Sequence, residues 1–197
     1  MQLLKAQRSE QWLEARRGKV TASLAAAILG IDPYTGPLSA FNQITGKTKK
    51  ASNYWMERGM DAEPLAVHAY EVMSGNLAAP GGFWVHDKFL WLGASPDGII
   101  AHDGLLECKA PAEVPADIPE HHEIQCRVQM AVCDRSWVDY FSWHHEHFLL
   151  VRVERDQARE ESLLFRLCEF YEKHILLGIP PPRRRVPLRK EALDEEE

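Results

Sequence analysis

Apolar positions in the first third of the chain recur at helical spacing, between residues that start and stop helices. Ser9 reads as an N-cap for a helix over residues 10–17, and Gly18 as its stop. Thr21 opens a second helix over 22–29, closed by Gly30, and a third is predicted over 38–44. A longer one spans 54–73, with Pro64 as a kink or a restart.

The pattern then changes. Short apolar runs at 83–86, 90–94, 98–101 and 104–109 are broken by Gly, Pro and Asp, which predicts strands joined by tight turns. A helix over 118–132, strands over 137–143 and 148–153, and an amphipathic helix over 155–177 complete the order. These elements predict one α/β domain over residues 1–179, with a helical part at 1–78, a sheet-containing core at 79–179 and a central mixed β-sheet flanked by helices. Residues 180–197 hold Pro180, Pro181 and Pro182, then Arg183, Arg184 and Arg185, and an acidic end, and read as an extended tail.

Composition narrows the classes. The 197 residues are 45% hydrophobic and 26% charged, as in ordinary globular proteins, and fit one sizeable core. A net charge of -6 argues against a passive nucleic-acid coat but leaves room for a local phosphate-binding surface. Cys108, Cys126, Cys133 and Cys168 form no CxxC pair, so no zinc or iron–sulfur pattern is present. Neither a secretory leader nor a membrane-length apolar run is visible, which predicts a cytoplasmic protein with reduced thiols and no membrane partner.

The chemistry concentrates in Ser95-Pro96-Asp97-Gly98 and Glu107-Cys108-Lys109. Residues two apart on a strand share a face, so Glu107 and Lys109 stand side by side, and a hairpin brings Asp97 next to them at a sheet edge. Two hard oxygen donors suit Mg²⁺, with the Cys108 backbone carbonyl as a further ligand. Lys109 would orient water or stabilise charge on the reacting phosphate. Each fragment also has a plain reading: Asp-Gly makes hairpin turns, and Glu-x-Lys often marks a solvated strand face.

Over most of its length the chain resembles the lambda-type alkaline exonucleases, the YqaJ-like viral recombinase group of the restriction-endonuclease-like PD-(D/E)xK fold. The matching residues are Trp12-x-x-x-Arg16-x-Gly18, Thr21-Ala22-Ser23, Gly59-x-x-x-Glu63, Ser95-Pro96-Asp97-Gly98, Glu107-x-Lys109 with Pro111, and Gln125. The resemblance implies a 5′-to-3′ exonuclease of phage or prophage type that degrades one strand of duplex DNA from its end. It leaves a 3′ overhang for a single-strand annealing protein. The implied cofactor is Mg²⁺ or Mn²⁺, as two ions, and the implied assembly is a ring-shaped homotrimer. By the same resemblance Asp97, Glu107 and Glu63 are catalytic metal-binding acids, Lys109 is the catalytic lysine, and Arg16, Ser23 and Ser95 hold a 5′-phosphate. Gln125 supports the active-site wall. The alternatives are a restriction-type or structure-specific endonuclease, or a catalytically silent DNA-end-binding scaffold.

Two departures stand out. Arg127 occupies the place of a second glutamine, and the loop Ile31-Asp32-Pro33-Tyr34 has no basic residue, leaving Lys47, Lys49 and Lys50 as a source of charge or as a solvated loop. Met56 is placed as a strand-separating wedge, with core packing as the alternative. His144-His145-Glu146-His147 reads as a solvated turn rather than a zinc site, and His121-His122 as surface.

Overall fold

The chain, seen here as a computed structural model, is described for residues 2–3, 7, 9–48, 54–145 and 147–183. It opens with β1 (Gln2–Leu3) and α1 (Glu10–Arg16), where Ser9 caps the helix by accepting a hydrogen bond from the Trp12 N–H at 3.2 Å. β2 (Val20–Thr21) leads into a 3-10 turn (Ala22–Leu24) and then α2 (Ala25–Leu29). Gly30 stops that helix at φ 70°, a left-handed conformation that glycine adopts without steric cost. α3 (Pro37–Ile44) starts on proline, and α4 (Tyr54–Ser74) runs through Pro64.

The strands follow as β3 (Ala78–Pro80), β4 (Phe83–Val85), β5 (Leu92–Ala94), β6 (Gly98–Ile100) and β7 (Gly104–Lys109). Next come α5 (Glu120–Cys133), the hairpin β8 (Trp137–His144) and β9 (His147–Glu154), and α6 (Gln157–Phe170). The last helix runs on as a wider π turn, Tyr171–Leu176, so the segment over 155–177 is not one uniform α-helix.

Two mixed sheets form where one was expected. One has the order β1-β4-β5-β2 and the other β3-β6-β7-β8-β9. β2 runs parallel to β5 and β7 parallel to β8, while the remaining pairs are antiparallel. Residues 78–80, at the junction of the expected helical and sheet parts, belong to the second sheet as an edge strand.

The period of two along β7 divides its side chains between two cores. Leu105 joins the larger one, with α2, α3, α5 and α6, whereas Leu106 and Cys108 pack with Ala66 and Tyr70 of α4 and Phe141 of β8. Glu107 and Lys109 share the Leu105 face and therefore point toward α5. Among the described residues no helix is long and apolar enough to cross a membrane. Lys49, Lys50, Arg184, Arg185 and the acidic end lie outside the described residues, and 180–183 have no regular structure.

Candidate active site

β7 is the middle strand of its sheet, so Glu107 and Lys109 sit at the carboxyl end of a central strand and not at a sheet edge. Lys109 pairs with Ser142 of the parallel strand β8, which fixes its height. Asp97 immediately precedes β6, and its N–H donates to the Leu106 carbonyl at 2.9 Å. Its Oδ2 in turn accepts from the Cys108 N–H at 2.8 Å. Gly98 next to it has to be small: a Cβ there would lie 2.9 Å from the Cβ of Ala78 on β3. The hairpin thus delivers Asp97 to the middle of the Glu-x-Lys segment.

Glu107 is 2% exposed, and both of its oxygens accept hydrogen bonds. Its Oε1 accepts from the Lys109 ammonium and from Gln125 Nε2 at 2.6 Å, while Oε2 accepts from Gln129 Nε2 at 2.6 Å. Burial works against the Lys109 charge, but Glu107 and Asp97, with the hydrogen bond to Glu107, outweigh it and raise the lysine pKa. Lys109 is therefore a fixed cation at neutral pH. Asp97 is shifted well above the usual carboxylate range, first by burial and then by the charge of Glu107. Lys109 opposes that shift and Glu63 adds to it.

The other wall gathers hydrogen-bond donors around Arg16. Arg16, the last residue of α1, donates from Nη1 to Ser95 Oγ at 3.0 Å, and Trp12 Nε1 donates to the same oxygen at 3.1 Å. The guanidinium also lies over the Trp12 ring, 4.2 Å from its centroid. With its oxygen accepting twice, the Ser95 hydroxyl keeps its own proton to donate. Burial lowers the Arg16 pKa to about 10, which leaves it charged at neutral pH. Ser23 is exposed, and its Oγ lies 3.1 Å from Thr21 Oγ1. It sits in a 3-10 turn ahead of a five-residue helix, whose dipole adds little there beside the charge of Arg16.

One cleft of about 220 Å³ joins these groups. It brings together Arg16, Ser23, Glu63, Ser95, Asp97, Glu107, Cys108, Lys109 and Gln125, the residues singled out in the sequence. Met56 lies in the backbone of α4, but its side chain is outside the described residues. Lys47 packs over the Phe41 ring, 4.7 Å from its centroid, and does not line the cleft.

The sequence pointed to no role for Gln129, did not pair Trp12 with Ser95, and gave Thr21 only as part of a matching motif. Gln129 follows Gln125 by four residues and so shares its helix face. Arg127 lies between them on the far side, where it donates to Glu123 Oε1 at 2.8 and 2.9 Å and takes no part in the site. The reading of His121-His122 as surface also fails for His122, which is half-buried with Nδ1 2.9 Å from the Tyr140 hydroxyl. The reading of 144–147 as a turn agrees with the β8–β9 hairpin.

A divalent cation is the group these acids imply, and the donor chemistry fits one. Asp97, Glu107 and Glu63 act on one another electrically in one cleft and supply only hard oxygens. Burial raises the pKa of the Cys108 thiol, which packs on the opposite face of β7, so it is no competing soft ligand. Among the described residues no group of three or more His, Cys, Asp or Glu stands placed to hold a metal ion by itself. Waters and substrate oxygens would therefore have to complete the shell of an ion held here, as Mg²⁺ allows.

The molecule has recognisable relatives. The sequence model of the YqaJ-like viral recombinase domain matches residues 11–136. The chain is 24% identical over 155 residues to Uncharacterized protein R354 of Acanthamoeba polyphaga mimivirus, a match that takes in 68% of this chain and 28% of that protein. The chain thus spans only 28% of the length of that curated relative. An alkaline exonuclease, LHK-Exo from Laribacter hongkongensis, superposes with TM-score 0.75 at 25% identity, over 87% of this chain and 94% of its own. LHK-Exo in complex with dAMP gives 0.74 at 27%, with the same shares covered. A phage related exonuclease from Haemophilus somnus 129PT shares the fold, with TM-score 0.62 at 13% identity over 81% and 95% of the two chains. The architecture is restriction-endonuclease-like, as the motif order implied.

Proposed function

This chain belongs to the YqaJ-like viral recombinase domain family, and from that membership and its cleft we propose that it is a metal-dependent exonuclease acting on the ends of duplex DNA. The observation that carries the reading is the union, in one cleft, of an acid–acid–lysine centre with an arginine–serine anion pocket. A scaffold that only binds DNA ends has no use for a lysine held on a buried glutamate beside a second acid.

Asp97, Glu107, the Cys108 carbonyl and Glu63 would hold Mg²⁺ or Mn²⁺, as one or two ions. When bound, the metal supplies Lewis acidity toward a phosphate oxygen and lowers the pKa of a bound water. The chain's own residues do the rest. Arg16, Ser95 and Ser23 receive the 5′-phosphate of a DNA end, which carries more charge than an internal diester. The fixed Lys109 cation stands where charge builds on the phosphate under attack. Gln125 and Gln129 keep Glu107 from turning away. A phosphate held at one side of the acids gives the enzyme a direction, 5′ to 3′, and leaves a 3′ single strand suited to an annealing protein. The dAMP held by LHK-Exo supports stepwise release of mononucleotides. The family resemblance extends the reading to a ring-shaped homotrimer around the duplex and a phage or prophage setting.

The test is digestion of linear and covalently closed duplex DNA with Mg²⁺, with and without EDTA. Metal-dependent loss of the linear form alone supports the reading. Cutting of closed circles favours a restriction-type endonuclease, and no cutting in either form favours a silent end-binding scaffold.

A further inference from the structure

Gln129 is 0% exposed, lines the cleft, and has half of its amide unused. Its orientation is chemically forced. Glu107 as a carboxylate only accepts, so the Gln129 atom 2.6 Å from Oε2 has to be the donating Nε2. That leaves Oε1 as a buried acceptor with no donor from the protein among the described residues. A buried carbonyl left unpaired is destabilising, and buried polar atoms in native proteins are seldom left so. The protein spends nothing comparable on Gln125, whose Oε1 faces Lys109 Nζ at 3.4 Å.

We propose that Gln129 is a positioning residue that binds a water molecule through Oε1 while fixing Glu107 through Nε2, so that one rigid amide sets the spacing between that water and the carboxylate. The inference rests on the reading of the cleft as a metal-dependent nuclease centre. The partner has to be a donor, has to fit a cleft of about 220 Å³, and meets a floor lined by carboxylates. Water meets these conditions, and a hard cation on the acids retains such waters in its shell. The i, i+4 spacing makes Gln125 and Gln129 a two-pronged clamp on opposite oxygens of one carboxylate, and of the two only Gln129 keeps a buried acceptor without a protein donor among the described residues.

The experiment compares wild type with Gln129→Met, Gln129→His and Arg127→Met. Methionine keeps the volume and removes both polar atoms, while histidine keeps one donor and one acceptor. Arg127→Met perturbs the same helix on its other face. Three quantities are read: kcat and KM on linear duplex, Mg²⁺ binding by calorimetry with the metal alone, and the melting temperature. Losing an outer partner of a metal-binding group typically costs 10–100-fold. Gln129→Met is expected to lose kcat by that factor with KM within about two-fold, and to weaken Mg²⁺ binding. Gln129→His should recover at least part of both, and Arg127→Met neither gains nor loses more than about two-fold. Unchanged kcat and Mg²⁺ binding in Gln129→Met overturns the inference, as does an equal loss in Arg127→Met at matched melting temperature. If the methionine variant does not fold, a histidine variant with no kcat or Mg²⁺ binding above background overturns it and a partly active one supports it. A wild type that binds Mg²⁺ but cuts no DNA defeats the nuclease reading and leaves the calorimetric comparison standing.

Discussion

Asp97 accepts a hydrogen bond of 2.8 Å from the backbone N–H of Cys108, the residue that separates Glu107 from Lys109. This one contact ties the two halves of the motif together across the β6–β7 hairpin. It also places Asp97 in a crowd, since Glu107 and Glu63 both act on it with like charge. Asparagine can accept the same bond without the charge. Asp97→Asn is therefore expected to abolish cleavage yet stabilise the metal-free protein by on the order of 1 kcal/mol, a rise in melting temperature of about 2–4 °C for a chain of this size. Melting in EDTA checks it. A lower melting temperature would show that the three acids do not repel one another as the geometry requires.

Lys109 is expected to act on the transition state more than on binding. Its ammonium is held by Glu107 and its charge is secured by two acids. Lys109→Ala should lower kcat by about 10²–10³, the usual effect of removing one preorganised electrostatic group, with DNA affinity falling far less. Single-turnover rates and gel shifts in Ca²⁺ separate the two effects. A matching loss in both would make Lys109 a DNA contact only.

How much of this was legible in the sequence follows physical lines. Asp97-Gly98 and Glu107-Cys108-Lys109 were readable because a strand's period of two fixes which side chains share a face. Gln129 was missed because the expected second glutamine lies two residues past Gln125, about 200° around a helix, whereas a turn of four brings the side chains together. β1, β2 and β3, each two or three residues long, are too short to show any alternation. The division into two sheets depends on pairings between residues far apart in sequence, such as Val20 with Leu92, which local pattern does not encode. His122 looked like a surface residue because nothing local announces the Tyr140 hydroxyl beside it.

That histidine should make the fold acid-sensitive. Burial, with the nearby charges of Lys109 and His121, lowers the His122 pKa to about 2. An unfolded chain takes up the proton below its ordinary pKa of about 6.5, while the folded one stays neutral, so protons favour unfolding as pH falls. The contribution of His122 is present above about pH 6.5 and is lost below it at up to roughly 1.4 kcal/mol per pH unit. Urea unfolding at pH 7 and pH 5 in EDTA should show a smaller loss for His122→Asn than for wild type. Equal losses would mean that His122 is solvated.

The anion pocket predicts sensitivity to the DNA end. Arg16 is held in place by Ser95 and the Trp12 ring before any substrate arrives. Wild type should digest 5′-phosphorylated duplex faster than 5′-hydroxyl duplex, and Arg16→Ala should narrow that ratio chiefly by slowing the phosphorylated substrate. A ratio near one in wild type, or one unchanged in Arg16→Ala, would remove the pocket from the account.

The most direct test of the central claim follows a single label. Linear duplex carrying a radioactive 5′-phosphate is incubated with Mg²⁺ and either wild type or Glu107→Ala, and the products are separated by size. The account predicts that wild type releases the label as a mononucleotide from the outset of digestion, and that Glu107→Ala releases none. Label retained on long fragments by wild type, or released equally by Glu107→Ala, would contradict it.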